Sequence, residues 1–204
     1  MSLLWLVPSY LLGAIPTSYL AGKLVRGIDL REHGSKNLGA TNLYRVLGWR
    51  YAVPVGAFDV AKGAIPVALF GAWARGPEWL PAVLGTAAVL GHVYSPFVGF
   101  HGGKGVATAC GMFLALAPLA VLLAVPVWGT LLYVTGYVSL SSIVAAVTFP
   151  LWVRLTASHS RPAFVASLAL ALFIVYTHRA NIRRLLTGTE NRFRTRRGAG
   201  GVAP

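Results

Sequence analysis

Apolar stretches of about 20 residues recur along the whole chain, and they constrain its fold more than any other feature. Of the 204 residues, 56% are hydrophobic and 11% are charged, whereas an ordinary soluble domain has roughly 25% charged residues. A single soluble core could not bury so many long apolar stretches. The sequence therefore predicts an all-α protein that crosses a membrane several times. It excludes a soluble globular domain, a disordered chain and a disulfide scaffold.

Hydropathy and the basic or Gly/Pro-rich turns define five clear spans, at residues 3–25, 51–73, 79–100, 138–155 and 162–177. The segment 106–135 is also apolar. As one helix it would be about 45 Å long at 1.5 Å per residue, which is too long for a hydrocarbon core of about 30 Å. Pro118 and Pro126 are candidate helix breakers. We expect two spans that meet at residues 117–119, which gives seven transmembrane helices in total.

The distribution of positive charge predicts the orientation in the membrane. The chain has 18 Lys and Arg against five Asp and Glu, and its formal net charge is +13. Five basic residues lie between 26 and 50 and seven between 179 and 197, and the positive-inside rule places both segments in the cytosol. Seven spans satisfy this rule, with the N-terminus outside and the C-terminus cytosolic, whereas six spans would separate the two segments. The charge therefore indicates a membrane partner, and no nucleic-acid-binding module is visible.

The expected domain organisation is simple. Residues 1–191 form a single seven-span membrane domain, and residues 192–204 form a basic, flexible tail. The run 3–25 lacks the basic region that opens a signal peptide, so we expect it to be retained as the first span.

The first cytosolic loop contains a dense group of small hydrogen-bonding residues. They are Gly34, Ser35, Asn37, Gly39, Thr41 and Asn42, followed one helical turn later by Arg45. Glycines let the backbone approach an oxyanion, hydroxyl and amide groups donate hydrogen bonds, and Arg45 adds a bidentate fork. The loop therefore suits a phosphate group. A Gly/Asn turn with an ordinary helix cap is the alternative interpretation.

A second motif begins inside the third span, at His92, and continues beyond it. Its other residues are Gly102, Gly103, Lys104 and Gly105, and Thr108 in the first turn of the next helix. A Gly-rich turn with one Lys at a helix N-terminus is a natural anion site, although its spacing is not that of a Walker A loop. The alternative is a flexible hairpin whose Lys104 extends to the membrane interface.

The third motif ends the last span. His178 and Asn181 lie three residues apart at the mouth of the bundle and are candidate ligands, and Glu190 follows in the same segment. Arginines at such a position are more often lipid anchors than ligands, which is our expectation for Arg179, Arg183 and Arg184.

Two features inside the spans are also informative. Asp59 and Lys62 lie three residues apart in the second span and can form an ion pair, which is either a functional site or a structural tie between helices. Cys110 is predicted to be an inert core thiol. No Cys, His, Asp and Glu cluster has metal-ligand spacing, so no metal site is predicted.

The three motifs together resemble those of the bacterial integral-membrane acyl-phosphate:glycerol-3-phosphate acyltransferases. The matching patterns are Ser35-x-Asn37-x-Gly39-x-x-Asn42, Gly91-His92 with Gly102-Gly103-Lys104-Gly105-Val106-Ala107-Thr108, and His178-x-x-Asn181-Ile182-x-Arg184-Leu185-x-x-Gly188-x-Glu190. The resemblance implies a seven-span enzyme of the cytoplasmic membrane whose active site faces the cytosol. It implies transfer of a fatty acyl group from acyl phosphate to the sn-1 hydroxyl of glycerol 3-phosphate, the first acylation of phospholipid synthesis, with no cofactor and no obligate protein partner.

The resemblance also implies roles for particular residues. Ser35 and Arg45 serve the active site, the loop 102–105 holds glycerol 3-phosphate, and His178 and Asn181 complete the pocket. In the family Glu190 looks structural.

The proton acceptor remains open between two groups. An acyl phosphate already carries a good leaving group, so the enzyme needs mainly to align the hydroxyl and stabilise charge. No His is followed four residues later by Asp, and we expect no carboxylate in the donor loops. A substrate phosphate oxygen is therefore the favoured acceptor, and His178 is the alternative.

Two other classes of protein compete with the enzyme. A membrane transporter of an organic phosphate would also need basic donors, but it predicts midplane sites and internal repeats. A purely structural membrane protein leaves the Gly-Gly-Lys-Gly sequence and the Asp59/Lys62 pair unexplained.

Overall fold

The computed structural model describes residues 2–157 and 159–193, and within them all the regular secondary structure is helical, with no strand. The expected tail is described only as far as residue 193, and its remaining residues, 194–204, lie outside the described part. The helices are α1 (Leu6–Ala14), α2 (Thr17–Arg26), α3 (Ala40–Leu47), α4 (Trp49–Ile65), α5 (Gly71–Ala74), α6 (Leu80–Val93), α7 (Val106–Leu116), α8 (Pro118–Thr135), α9 (Val138–Thr156), α10 (Arg161–Thr177) and α11 (Arg179–Leu186).

Several helical stretches are long and apolar enough to cross a membrane. In the described part of the chain there are five: Leu3–Arg26, Trp49–Ala74, Leu80–Val98, Pro118–Thr135 and Val138–Thr156. Helices α10 and α11, bent by 58° at His178, make a sixth if they count as one span, and α7 is a shorter apolar helix. The prediction of an all-α polytopic membrane protein is thereby confirmed.

The long apolar segment divides where the sequence predicts. Helix α7 ends at Leu116 and α8 begins at Pro118, with Ala117 in a non-helical conformation between them. Proline disfavours helical geometry at the preceding residue and lacks an N–H group, so Pro118 suits the first position of a helix. Pro126, the other candidate breaker, lies inside α8 without ending it.

The first predicted span, in contrast, is not one straight helix. It breaks at Ile15 and Pro16, between α1 and α2, because Pro16 cannot continue the hydrogen-bond ladder. The break leaves two carbonyl groups without helical partners. Ser95 Oγ donates to the Ala14 carbonyl at 2.5 Å, and Lys62 Nζ donates to the Ile15 carbonyl at 2.9 Å. The third predicted span, 79–100, likewise ends its α-helix early, at Val93.

Glycines allow close packing between neighbouring helices. Gly91 on α6 lies against the Tyr10 carbonyl of α1, and Gly111 on α7 lies against the Val60 carbonyl of α4, with no room for a Cβ atom at either glycine. Small residues at such contacts are typical of membrane helix pairs. Helices α8, α9 and α10 pack side by side next to this group. The arrangement leaves a cavity between the two sets of helices.

Candidate active site

The cavity has a volume of about 450 Å³, and it brings the three sequence motifs together. Its polar end is lined by residues of all three motifs: Ser35, Asn37, Gly39, Thr41, Asn42, Arg45, Lys104, Gly105, His178, Asn181 and Glu190. The rest of its wall is mostly apolar and comes from α7 to α10: Phe113, Val121, Val125, Trp128, Phe149, Leu170 and Ile174. The cavity is therefore amphipathic, with one end suited to a polar group and the other to a hydrocarbon chain.

At the polar end, a connected set of side chains forms what we call the mouth cluster, defined as Arg45, Lys104, Asn181, Arg184 and Glu190. Lys104 Nζ donates to Asn181 Oδ1. Asn181 Nδ2 donates to one Glu190 oxygen at 2.7 Å, and Arg184 Nε donates to the other at 2.7 Å. Arg45 Nη2 reaches the carbonyl of residue 191 at 3.4 Å. One network thus joins the second and third motifs, and Arg45 of the first motif lies beside it.

The charges of the mouth cluster do not balance. Arg45, Lys104 and Arg184 face a single carboxylate, Glu190. Burial lowers the pKa of Lys104 to about 8; Glu190 opposes this shift, while Arg184 and Arg45 add to it. Burial also lowers the pKa of Arg45. A site with this excess of partly buried positive charge is completed by an anion.

Glu190 corrects the expectation that the donor regions lack a carboxylate. Burial by itself would raise the pKa of Glu190, but hydrogen bonds from Ser139, Asn181 and Arg184 lower it overall. Both Glu190 oxygens accept from these donors. Glu190 is therefore a stable carboxylate that positions its neighbours, in keeping with the structural role that the resemblance implies, and is poorly suited to accept a proton.

In the first loop, Asn42 organises the chain around the site. Its Oδ1 accepts from the Ser35 N–H at 2.7 Å, and its Nδ2 donates to the carbonyls of Leu30 and His33 at 3.1 and 3.0 Å. A Cβ atom at Gly34, which has φ 59°, would collide with this amide. Asn42 and Gly34 thus hold the loop. The Ser35 hydroxyl has no hydrogen-bond partner among the described residues and is free for a ligand.

The second loop differs from its expected role at two glycines. The Gly102 N–H donates to the Val93 carbonyl at 2.9 Å, and the Gly103 N–H donates to the His92 carbonyl at 3.0 Å. These groups are therefore occupied and are not free to bind a phosphate. A side chain at either position would collide with His92, so the two glycines instead let the loop lie against the end of α6.

The following residues of that motif divide between the cavity and the core. Lys104, Gly105 and the first turn of α7 line the cavity, which agrees with the expected turn at a helix N-terminus. Gly105 has φ 84° and precedes α7 directly. Thr108 does not line the cavity; it is fully buried, and its backbone packs against Gly63 of α4. Thr108 therefore lies at a contact between α7 and α4 and not on the cavity wall, and its ligand role stays a prediction.

His178 lies at the bend between α10 and α11. Its Nδ1 is 2.8 Å from the Ile174 carbonyl. A carbonyl only accepts, so Nδ1 carries the hydrogen and Nε2 carries the lone pair. His178 and Asn181 are both buried and both line the cavity.

The three arginines of this segment separate into two groups. Arg179 and Arg183 are exposed, and Arg179 stacks on Tyr176, as expected for anchors at the interface. Arg184 instead belongs to the mouth cluster through its ion pair with Glu190.

The Asp59/Lys62 ion pair is present, as predicted, with Lys62 Nζ 2.7 Å from Asp59 Oδ1. Thr17 Oγ1 donates to the same carboxylate oxygen at 2.8 Å, and His92 Nδ1 lies 3.2 Å from Lys62 Nζ. We call Thr17, Asp59, Lys62 and His92 the break cluster, because it lies where α1 ends and α2 begins. Asp59 and His92 also line the cavity.

Sequence reasoning missed Ser139, Ser142 and Trp128. Ser139 Oγ donates to Glu190 at 2.7 Å, and Trp128 Nε1 donates to Ser142 Oγ at 3.2 Å. The signal available was the group of three serines, 139, 141 and 142, at the start of an otherwise apolar span. Among the described residues, no group of three His, Cys, Asp or Glu could hold a metal ion.

Comparison with known proteins identifies the family. The sequence profile of the family described as "Glycerol-3-phosphate acyltransferase" matches residues 3–188. The protein named "Glycerol-3-phosphate acyltransferase" from Trichlorobacter lovleyi is 48% identical over 193 residues, covering 94% of this chain and 97% of the relative. The relative of the same name from Fusobacterium nucleatum is 44% identical over 190 residues, covering 93% and 97%.

Solved structures agree with the sequence relatives. The crystal structure of PlsY (YgiH), an integral membrane glycerol 3-phosphate acyltransferase, in its glycerol 3-phosphate form has a TM-score of 0.87 at 41% identity, covering 94% of both chains. Its lysophosphatidic acid form has a TM-score of 0.85 at 40% identity, again covering 94% of each. This chain therefore belongs to the glycerol-3-phosphate acyltransferase family.

Proposed function

We propose that the protein transfers a fatty acyl group from acyl phosphate to the sn-1 hydroxyl of glycerol 3-phosphate and releases lysophosphatidic acid and inorganic phosphate. The observation that carries the proposal is the amphipathic cavity, which joins an excess of partly buried positive charge to an apolar wall. Both substrates carry phosphate, and the donor and the product carry a long hydrocarbon chain. Relatives named as acyltransferases, and crystal forms of PlsY with glycerol 3-phosphate and with lysophosphatidic acid, support it.

The polar end supplies the groups that bind phosphate. Lys104 and Arg45 provide charge-assisted hydrogen bonds, and Ser35 and Thr41 provide neutral ones. The first turn of α7 adds N–H groups next to Lys104. Asn181 is held between Lys104 and Glu190 and keeps the lysine in place.

The apolar wall suits the acyl chain. Along α9 the lining residues run from Ser139, beside the mouth cluster, to Phe149. This distance is about 15 Å at 1.5 Å per residue. A chain lying there would keep its carboxyl carbon at the polar end and its methyl end between apolar helices.

The reaction needs little more than alignment and charge stabilisation. The sn-1 oxygen attacks the acyl carbonyl carbon, the bond from that carbon to the phosphate oxygen breaks, and its electron pair leaves with phosphate. We propose that the hydroxyl proton passes to a substrate phosphate oxygen, since the second pKa of a phosphate lies near 6. The His178 lone pair on Nε2 accepts a hydrogen bond from the hydroxyl and orients it.

The decisive experiment compares acyl donors. Purified protein in detergent or vesicles receives glycerol 3-phosphate with acyl phosphate, acyl-CoA or acyl carrier protein, and lysophosphatidic acid is measured. We expect turnover with acyl phosphate alone, because no lining residues suggest a site for a nucleotide. Efficient turnover with acyl-CoA while acyl phosphate stays inert would reverse the donor assignment. Uptake of an organic phosphate into vesicles without acylation would favour the transporter.

We further propose that α7, a shorter apolar helix, also spans the membrane and brings the number of spans to seven in a membrane domain covering residues 1–191. The N-terminus then lies outside the cytoplasmic membrane, and the active site faces the cytosol. Single cysteines at 36, 101 and 194, introduced into a Cys110→Ala background, should all react with an impermeant thiol reagent from the cytosolic side. Opposite accessibility of positions 36 and 194 would contradict seven spans.

A further inference from the structure

His92 is the residue of the cavity whose surroundings are least explained by the proposed reaction. We propose that His92 presents a neutral Nε2–H donor to an anionic phosphate oxygen of a substrate, and that Lys62 and Asp59 position it by fixing its tautomer. The inference rests on the proposed function for the identity of that substrate. Its chemical basis lies in the break cluster.

The tautomer follows from the partners of Lys62. Its ammonium lies 2.7 Å from Asp59 Oδ1, 2.9 Å from the Ile15 carbonyl and 3.2 Å from His92 Nδ1. An ammonium has three hydrogens and no lone pair, so it can only donate. His92 Nδ1 must therefore accept, and the ring is neutral with its hydrogen on Nε2.

The Nε2–H group is left without a protein partner. No described residue forms a hydrogen bond with His92 Nε2, although His92 lines the cavity. Gly103 lies directly next to it, and a Cβ atom at that position would collide with Nε2. A side chain at position 103 would thus cover or displace this donor, and the glycine avoids that.

The position of the Nε2–H group, beside the loop that carries Lys104, favours phosphate as its partner. The His92 carbonyl accepts the Gly103 N–H at 3.0 Å, and Gly103 also lies against the His92 ring, so His92 is in contact with the loop that carries Lys104. A neutral N–H beside a lysine suits an anionic oxygen, whereas an Nε2 lone pair would repel it. His178 has the opposite arrangement, since its Nδ1 donates to Ile174 and its Nε2 accepts. The cavity thus holds one histidine suited to a phosphate oxygen and one suited to a hydroxyl group.

Two substitutions of His92 separate this role from packing. In His92→Gln the side-chain amide nitrogen can replace Nε2, whereas in His92→Asn the shorter side chain places its amide near Nδ1. We expect His92→Asn to lower kcat/KM for glycerol 3-phosphate or acyl phosphate at least about tenfold, and His92→Gln to lose less than about threefold. Equal loss in both variants, or normal kinetics in both, would overturn the proposal.

Ser95→Ala is the matched control. Ser95 ties the same helix break through the Ala14 carbonyl and is not among the lining residues. We expect this variant to melt at a lower temperature with its kcat/KM unchanged. A fall in kcat/KM as large as that of His92→Asn would assign the effect to the break itself and contradict a donor role.

A spectroscopic measurement keeps the proposal testable if His92→Asn does not fold. In protein labelled with ¹⁵N-histidine, His92 is the histidine signal missing from His92→Gln. We expect a protonated Nε2 and an unprotonated Nδ1 in the free protein, and a shift of the Nε2–H signal when glycerol 3-phosphate or inorganic phosphate is added. A hydrogen on Nδ1, or no response to saturating amounts of both probes, would overturn it. The tautomer of the free protein does not depend on turnover. It can therefore be determined even if the acyl-donor assay contradicts the proposed function, and the two failures can be told apart.

Discussion

The mouth cluster and the break cluster contain the same kinds of residue but differ in charge balance. The mouth cluster has three cations and one carboxylate, and it lies where polar loops meet the cavity. The break cluster has one cation and one carboxylate in contact, and both side chains are fully buried. An unbalanced cluster is completed by an anion, whereas the two charges of the balanced one already compensate each other within the protein. The comparison thus distinguishes cations that bind substrate from an ion pair that ties helices together and leaves only the neutral His92 of its cluster for a ligand.

The largest expected effect is on the stability provided by the break cluster. Lys62→Met leaves Asp59 buried with no cation and removes the side-chain donor to the Ile15 carbonyl, which then accepts only from the Thr17 N–H at 3.0 Å. Removing one partner of a buried pair costs about 3–5 kcal/mol. We expect thermal or denaturant unfolding in detergent to show a loss of this size.

The double variant Asp59→Asn/Lys62→Met tests the explanation. Removing both charges eliminates the uncompensated carboxylate, so the double variant should recover part of the stability lost in Lys62→Met. If the single variant is as stable as the wild type, the pair is not a structural tie.

The mouth cluster should respond in the opposite way. Lys104→Met and Arg45→Met each remove a cation that faces an anion, so activity should fall about ten- to a hundredfold, which corresponds to about 1.5–3 kcal/mol. The unfolding temperature should stay near that of the wild type, because each substitution relieves repulsion among the remaining cations. Arg179→Met, at an exposed arginine stacked on Tyr176, is the control and should retain normal kinetics. Normal kinetics in Lys104→Met would instead assign that lysine to the membrane interface.

The sequence predicted the helices and the main polar residues because both depend on local signals. Apolar length predicted the spans, Pro118 predicted the division of 106–135, and the spacing of Asp59 and Lys62 predicted their ion pair. The details that were missed depend on contacts between distant segments. The partners of Glu190, for example, include Ser139, 51 residues away along the chain.

The same limitation explains the two corrected glycines. The sequence predicts that Gly102 and Gly103 have free N–H groups. In the structure these groups instead donate hydrogen bonds to the last two carbonyls of α6. Pro16 was a local signal for the break in the first span. No local signal indicated which groups bind the carbonyls that the break exposes, because the donors, Ser95 and Lys62, lie in distant parts of the sequence.

The third prediction concerns His178. If a substrate phosphate takes the proton, His178→Gln should lose no more than about tenfold in kcat, because glutamine can still hydrogen-bond the hydroxyl. The pH dependence of kcat should also keep its step near pH 6, since that pKa belongs to the phosphate. If His178 were the general base, kcat of His178→Gln would fall at least about 10²-fold and the step near pH 6 would disappear. A folded His178→Gln protein that binds glycerol 3-phosphate without any turnover would identify His178 as the base.

The smallest expected effect is a pH dependence of substrate binding through Lys104. The pKa of Lys104 is about 8 in the free protein, so the lysine is mostly charged at pH 7.5 and mostly neutral at pH 8.5. The phosphate of glycerol 3-phosphate is already a dianion over this range, since its second pKa lies near 6. Binding above pH 8 must therefore include uptake of a proton by Lys104, and the affinity falls as the pH rises.

We expect the Kd of glycerol 3-phosphate to increase about threefold between pH 7.5 and 8.5, as the charged fraction of Lys104 falls. Equilibrium binding is the suitable measurement, because it does not require an intact acyl phosphate. In Lys104→Arg the guanidinium keeps its proton throughout this range. The Kd of glycerol 3-phosphate for this variant should therefore be the same at pH 7.5 and pH 8.5, even if it differs from that of the wild type. A flat profile in the wild-type protein would show that Lys104 does not face the phosphate, and the contrast between the mouth cluster and the break cluster would then rest on Arg45 and Arg184.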